Sequence, residues 1–320
     1  MNVFIAQLKR EFWENRGAFL IAPVTISLIM IALNILAIFT LVFFSVRLNG
    51  EEFMLSTFVG QIENVDAETL RTGYNGFMHA IAMFFLMIMA FIVFFYALGA
   101  LYDDRKDRSI LFWRSLPVSD TMTVMSKLAM ALLVAPVIFI IVIALTHVAF
   151  LLIGLIMLAS GGADVWTSLL QPAQPFSIWL SLLAMLLVHM LWAAPLYAWC
   201  LLASSFAKGK PFLWAVIPPV LAGMMQSWVN FLQTFDYQSN WILQTIGERL
   251  MYVVIPQGLS MKPAGTDLEV DFEPDDFANL GEFYSGLAQR LIDPDLIWGI
   301  PFAVIFIAAA IWIRRYRDEA

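Results

Sequence analysis

Residues Leu128–Ala163 read LAMALLVAPVIFIIVIALTHVAFLLIGLIMLASGGA and contain no Lys, Arg, Asp or Glu. A bilayer core about 30 Å thick is crossed by roughly 20 apolar helical residues, so this stretch is long enough to span a membrane. It lacks the apolar and polar alternation of a barrel strand. Because lipid offers no partner to backbone N–H and C=O groups, these groups must pair within the segment, which predicts a helix.

Five further apolar stretches of similar length occur along the chain. The six spans are predicted at 19–46, 77–101, 128–158, 177–203, 212–231 and 297–313. The 320 residues are 61% hydrophobic and 13% charged, whereas a soluble domain is about 45–50% apolar and about 25% charged. This composition excludes a water-soluble globular enzyme. The sequence predicts an all-α integral membrane protein that forms a single transmembrane domain over residues 1–320.

The charged residues predict the orientation of the spans. Most of the 18 Lys and Arg fall in the segments on the side of the two termini, and most of the 25 Asp and Glu fall on the other side. By the positive-inside rule, both termini are expected in the cytoplasm. The single cysteine, Cys200, excludes a disulfide framework and a cysteine-rich metal site.

Two segments outside the spans have helical periodicity. Residues 1–16 place Met1, Phe4, Ile5, Leu8 and Phe12 on one face, which predicts a helix in the membrane interface; the alternative is a short cytoplasmic extension. The outer loop 232–296 carries two amphipathic patterns joined by an acidic linker, and its two helices are expected against the membrane or as a cap on the bundle. Their apolar positions are Ile242, Ile246, Leu250 and Val253, then Phe277, Leu280, Tyr284, Leu287 and Leu291.

The first cytoplasmic loop, 102–127, combines a charge cluster with an apolar patch. It reads YDDRKDR from Tyr102, SILFWRS from Ser109 and LPVSD from Leu116. Ser119 is placed to cap a helix that continues into the third span. Exposed aromatic and aliphatic side chains at 112–118 are costly unless something covers them. Composition leaves open whether a protein partner or the lipid headgroup layer does so.

Catalytic motifs are missing from the sequence. It has no G-x-x-x-x-G-K-[ST] phosphate loop, no H-E-x-x-H zinc motif and no G-x-S-x-G elbow. The spans as predicted hold no Asp, Glu, Lys or Arg, which counts against ion-coupled transport. No catalytic residue and no metal site are therefore predicted.

Polar residues inside the predicted spans are candidates for a translocation path. The same residues can instead bond across helices and only fix packing. The candidates are Asn34, His147, His189, Gln226 and Asn230.

Two segments resemble bacterial ABC transporter permeases of the type-2 export family. One is LKREFWENR at Leu8–Arg16, which is similar to the interfacial elbow helix of that family. The other begins in the first loop and follows the pattern ERKDxxxLxxxSLPxS, with Asp104 in place of the first Glu. By motif the resemblance covers only these segments, although the six-span architecture matches along the chain.

The resemblance implies a type V exporter-like fold with an elbow helix at 1–16 and a coupling helix in the loop 102–127. That helix would dock on a separate ABC ATP-binding subunit, which would hold ATP and Mg²⁺, so no cofactor is expected in this chain. The implied docking residues are Phe112, Trp113, Arg114, Ser115, Leu116, Pro117, Val118, Ser119 and Asp120. A second permease copy or a related permease would complete a dimer, and no nucleic acid is expected as a partner.

The implied function is ATP-driven export of hydrophobic or amphipathic cargo across the bacterial inner membrane. Two alternatives remain at this point. One is a non-transporting scaffold or sensor subunit that binds the ATPase without moving cargo. The other is an unrecognised membrane enzyme, which predicts His147 and His189 close together around a cavity.

Overall fold

The computed structural model describes residues 3–43, 46–48, 51–53, 55–107, 118–231, 241–254 and 280–316. Six of the described helices are long and apolar enough to cross a membrane, which confirms the predicted helical multi-pass architecture. From first to sixth, these spans are Gly17–Phe43, Ala67–Lys106, Asp120–Ser160, Trp166–Phe206, Pro211–Val229 and Pro294–Tyr316.

Shorter elements flank the spans. An N-terminal helix covers Val3–Glu14, and after the first span two strands pair antiparallel with Val46 opposite Phe53. The remaining helices lie before the second span and before the sixth. The short elements are the strands Val46–Leu48 and Glu51–Phe53 and the helices Leu55–Glu63, Trp241–Val254 and Leu280–Leu291. The last two helices fall where the amphipathic patterns predict them, while Phe277 lies outside the described residues.

The second, third and fourth spans are longer than hydropathy predicts. They contain 40, 41 and 41 residues, and 40 helical residues extend about 60 Å, or about twice the bilayer core. The fourth span begins at Trp166, ahead of the predicted 177. The second span begins at Ala67, ahead of the predicted 77, because the Asp66 side chain accepts hydrogen bonds from the backbone N–H groups of Thr69 and Glu68 at 2.9 and 3.1 Å. These hydrogen bonds also hold the pKa of the Asp66 carboxyl below its usual value. A polar first turn has no signal in a hydropathy window.

Two other predicted boundaries are corrected. The first span ends at Phe43 and not at 46, because the chain turns there into the strand pair. The loop predicted at 102–127 is shorter, since the second span continues through Lys106 and the third begins at Asp120. Ser119 caps this start as predicted, with its Oγ accepting from the N–H of Met122 at 3.1 Å. Residues 108–117 of the connection lie outside the described residues.

The second, third and fourth spans form the core of the bundle. About half of the apolar stretch of each is buried (56%, 44% and 50%), against 6% in the first span and 11% in the fifth. The exposed apolar side chains of the peripheral spans are tolerated because they face lipid rather than water.

The N-terminal helix buries two polar side chains and exposes several apolar ones. Gln7 and Glu11 are buried, whereas Val3, Ile5 and Trp13 are 43%, 47% and 61% exposed. A helix in water would pack the opposite way, because apolar side chains leave water first. This distribution fits a helix whose outer face lies in the membrane interface.

Three five-residue π-helical turns interrupt the spans, and each ends two residues before a proline. Proline has no N–H, and its ring clashes with the carbonyl four residues earlier. A widened turn before the proline relieves this clash. The helix then continues through Pro23 and Pro136, whereas a non-helical stretch at 171–174 follows the third wide turn before the next helix begins at Pro175. The turns are Gly17–Ile21, Met130–Val134 and Trp166–Leu170, and the prolines are Pro23, Pro136 and Pro172.

Candidate functional site

Buried charged side chains meet where the N-terminal helix crosses the ends of the second, third and sixth spans. Lys127 Nζ lies 3.0 and 3.1 Å from the two carboxylate oxygens of Glu11 and 3.3 Å from Asp104 Oδ2. Lys127 is 2% exposed and Glu11 is 1% exposed. The hydroxyl of Tyr96 donates to Glu11 Oε2 at 2.9 Å. One ammonium group thus compensates carboxylates from two different helices.

Arg314 extends this cluster to the sixth span. Its Nη1 lies 3.5 Å from Asp104 Oδ2, and its Nε donates to Asp120 Oδ1 at 3.0 Å. Arg10 approaches from the N-terminal helix, with Nη2 3.1 Å from Glu11 and 3.6 Å from Asp104. We call Glu11, Asp104, Asp120, Lys127 and Arg314 the ion-pair network, and the end of the bundle that holds it the charged end.

The ion-pair network lies beside residues 108–117, which contain most of the predicted docking residues and which we call the docking segment. Asp104 belongs to the last turns of the second span, and Asp120 is the first helical residue of the third. The segment 108–117 therefore connects two helix ends that are each held by an ion pair. Of the predicted docking residues, Phe112, Trp113, Arg114, Ser115, Leu116 and Pro117 are outside the part of the chain that the structure describes. Val118 and Asp120 are half-buried and Ser119 is exposed.

A second set of contacts fixes the end of the second span to the fourth. Ser204 Oγ accepts from the backbone N–H groups of Leu101 and Tyr102 at 3.0 and 2.9 Å. Arg105 Nη2 donates to the carbonyls of Ser204 and Ala207 at 2.6 and 3.0 Å. An arginine on the terminal carbonyls of a helix complements both its unpaired acceptors and its dipole. The helix before the docking segment is thus anchored on two sides.

The structure places the polar candidates from the first and fifth spans apart from the ion-pair network. Asn34 is half-buried on the first span. Gln226 Oε1 accepts from the backbone N–H of Ile242 at 2.8 Å, so Gln226 caps the start of the helix Trp241–Val254. Asn230 lies on the helix of the fifth span, and its side chain is outside the described residues.

His147 joins three spans by hydrogen bonds. Trp179 Nε1 donates to His147 Nδ1 at 3.3 Å, and an indole can only donate. His147 therefore accepts at Nδ1 and carries its proton on Nε2, which donates to the Met78 carbonyl at 3.0 Å. The ring is fully buried, so it fits a packing position between the second, third and fourth spans.

His189 is buried without such partners. It is 4% exposed, and neither ring nitrogen has a hydrogen-bond partner among the residues the structure describes. The Tyr197 hydroxyl is likewise buried and without a partner there, with ring centroids 6.5 Å apart. Trp179, which bonds to His147, lies ten residues before His189 on the fourth span, or about 15 Å along that helix. The two histidines thus have different neighbours, and the closeness that the membrane-enzyme alternative requires is not observed.

The ion-pair network was missed from the sequence, although one signal was present. Glu11 lies seven residues, or about two turns, after Phe4 and therefore at the edge of the face predicted to be apolar, where a charge indicates a buried partner. Lys127 stands directly before the charge-free run of the third span. Within the described ranges, no group of three His, Cys, Asp or Glu could hold a metal ion.

No protein-family model, curated protein or solved structure matches the chain. The fold and the composition of its helices define the class: it is a multi-pass helical membrane protein.

Proposed function

We propose that the chain is the permease subunit of an ATP-driven ABC exporter. The main support is that the helix ends on both sides of residues 108–117 are fixed by Asp104, Arg105 and Asp120. Because these ends cannot unwind easily, a displacement of the segment between them moves the helices of the bundle. The resemblance of Leu8–Arg16 and of the docking segment to type-2 export permeases supports the same function.

In this proposal ATP and Mg²⁺ bind to a separate subunit, because the chain has no phosphate loop. Closure of two ATP-binding subunits moves the docking segments, and a pair of permeases rocks between two states. The free energy that drives this change is the difference in ATP binding between the two states of the complex. A hydrophobic or amphipathic cargo, such as a lipid-like molecule, leaves at the end opposite the charged end.

In this proposal the helices before the sixth span cover that exit. The Arg249 guanidinium lies 5.2 Å from the centroid of the Trp192 ring on the fourth span and donates to the carbonyl of Asp295. Burial lowers the pKa of Arg249 from its usual value, while Asp295 and Asp293 oppose that shift. Trp192 Nε1 in turn donates to the carbonyl of Arg290 at 3.3 Å. These contacts tie both outer helices to the bundle.

Co-purification tests the docking of an ATPase. With the tagged chain extracted in mild detergent, we expect recovery of a soluble ATP-binding subunit, identified by mass spectrometry and ATP hydrolysis. Leu116→Asp should reduce that recovery about tenfold or more, because a buried charge opposes docking at the centre of an interface. The matched control is Leu291→Asp at the opposite end, where Leu291 is 45% exposed. Failure of the wild-type chain to recover an ATPase, or equal recovery by Leu116→Asp, contradicts the proposal.

Cysteine labelling tests the orientation that export requires. We expect both termini in the cytoplasm of a bacterium and the chain in its inner membrane. In a Cys200→Ala background, a membrane-impermeant maleimide should label Trp166→Cys in spheroplasts but not Lys9→Cys. Both positions are exposed, and both should react after the membrane is opened. The reverse pattern of labelling rejects the orientation.

A further inference from the structure

We propose that the ion-pair network carries movement of the docking segment into the sixth span and the N-terminal helix, and not only into the spans that the segment connects. This inference rests on the proposed function. It identifies Arg314 and Lys127 as positioning residues that act through the helices they join.

Arg314 bridges both ends of the docking segment. It contacts Asp104 on the helix before the segment and Asp120 on the helix after it, at 3.5 and 3.0 Å. Its own helix is the sixth span, whose last turn contains it. A guanidinium is planar with five donors, so it can hold two carboxylates in one fixed geometry. Separation of the two helix ends must break one of these contacts or displace the sixth span.

Lys127 makes the matching connection to the N-terminal helix. It lies seven residues after Asp120 on the same helix, which is about two turns and therefore the same face. That face contacts the sixth span through Asp120 and the N-terminal helix through Lys127 and Glu11. Rotation of this one helix therefore displaces both neighbours in the same step.

Burial makes these ion pairs stiff. Glu11 and Lys127 are at most 2% exposed, and Asp104 and Arg314 are 8% and 6% exposed, so water cannot replace a broken contact among these four residues. The Asp120 side chain is 28% exposed, so its contact with Arg314 is the most easily broken of the network. Charges that separate in such surroundings lose a large Coulomb attraction. The pair Arg10–Glu14 differs, because Glu14 is 47% exposed and water can compensate its loss. The buried pairs should thus persist through a conformational cycle.

The test uses the complex of the full chain with the ATP-binding subunit that co-purifies with it. Spin labels are placed at Trp166→Cys and Ile292→Cys in a Cys200→Ala background, at exposed positions away from the charged end. Pulsed EPR then measures the distance between the labels with and without ATP. The variants are Arg314→Gln, Arg314→Lys and Asp120→Asn, and Arg315→Gln is the control, since Arg315 is the exposed neighbour with the same charge.

We expect ATP to change the label distance in the unmutated complex and in Arg315→Gln. In the Arg314→Gln complexes that still contain the ATPase subunit, the population shifted by ATP should fall about tenfold. Arg314→Lys should be intermediate, because an ammonium group keeps the charge but cannot hold both carboxylates. Adding Asp120→Asn to Arg314→Gln should add little, since both act through one contact.

The outcomes separate the two proposals. A normal ATP-induced change in Arg314→Gln, with the ATPase still bound, overturns the ion-pair inference alone. If ATP also fails to change the label distance in Arg315→Gln, charge at the end of the helix matters and not the ion-pair network. That result overturns the inference as well. If the unmutated chain recovers no ATPase, the proposed function fails, and the inference that rests on it fails too.

Discussion

Replacing Lys127 by methionine is expected to lower the free energy of unfolding by about 3–5 kcal/mol. Methionine matches the length of the side chain but removes the ammonium group that lies 3.0 Å from Glu11 and 3.3 Å from Asp104. Removal of one partner from a buried ion pair has a cost of about that size, because the remaining charge is not hydrated. Arg10, which stays 3.1 Å from Glu11, keeps part of the compensation and places the loss at the lower end of the range. Denaturant unfolding of the purified chain in mild detergent measures the change.

Two variants separate this effect from general damage. Lys208→Met removes an exposed lysine at the charged end and should change stability by no more than about 0.5 kcal/mol. Adding Glu11→Gln to Lys127→Met should recover part of the loss, because the unpaired carboxylate is gone. A loss below about 1 kcal/mol in Lys127→Met, or further destabilisation in the double variant, would show that the pair is not buried as described.

His147→Leu and His189→Leu are expected to change stability in opposite directions. His147→Leu leaves the half-buried Trp179 N–H without its acceptor and removes the contact with Met78, which should lower the free energy of unfolding by about 1–3 kcal/mol. His189 has no hydrogen-bond partner among the described residues. Its replacement by an apolar side chain removes a desolvated polar group and should raise stability by about 1–2 kcal/mol.

Thermal and denaturant unfolding of the two variants side by side checks the difference in sign. Trp179→Phe provides the matched control for His147, since it removes the indole donor and keeps an aromatic ring. That variant should lose less than His147→Leu, because the Met78 contact remains. Destabilisation by His189→Leu comparable with that by His147→Leu would mean that the His189 ring bonds to a group that the described residues do not include.

The positions of the six spans could be predicted because they depend on local composition. A run such as Leu128–Ala163 is apolar, charge-free and longer than the bilayer is thick, so no distant residue is needed to recognise it. The ends of the spans depend on other physics. Asp66 starts a helix in polar sequence through hydrogen bonds of its side chain, and the helix that continues through Lys106 is polar at that end. A hydropathy average detects neither the helix start at Asp66 nor the polar helix end at Lys106.

The candidate site could likewise be predicted only in part. The docking segment was predicted from its own residues, and the function of Phe112–Pro117 stays a prediction. The ion-pair network joins Glu11 to Lys127, 116 positions apart, and Asp120 to Arg314, 194 apart. The sequence shows each charge but not which charges meet. His147 and His189 also look alike in sequence, and they differ because Trp179 and Met78, on two neighbouring helices, bond to His147.

The wide turn at Met130–Val134 sets the angular relation between the two halves of the third span. One residue in an α-helix corresponds to a rotation of about 100°, and a π-helical turn accommodates an extra residue. Before this turn Lys127 faces the N-terminal helix, and after it Thr146 and His147 face the first and second spans, with Thr146 2.7 Å from Ser27. Because the wide turn takes up that residue, deleting one residue within Met130–Val134 should convert it to a regular turn and leave Lys127 and Thr146 on their present faces. Deleting one residue from the regular helix between this turn and Thr146 should instead turn Thr146 and His147 by roughly a quarter of a circle and break the contact with Ser27. The third span should therefore tolerate a change of length at its wide turn and nowhere else between Lys127 and Thr146.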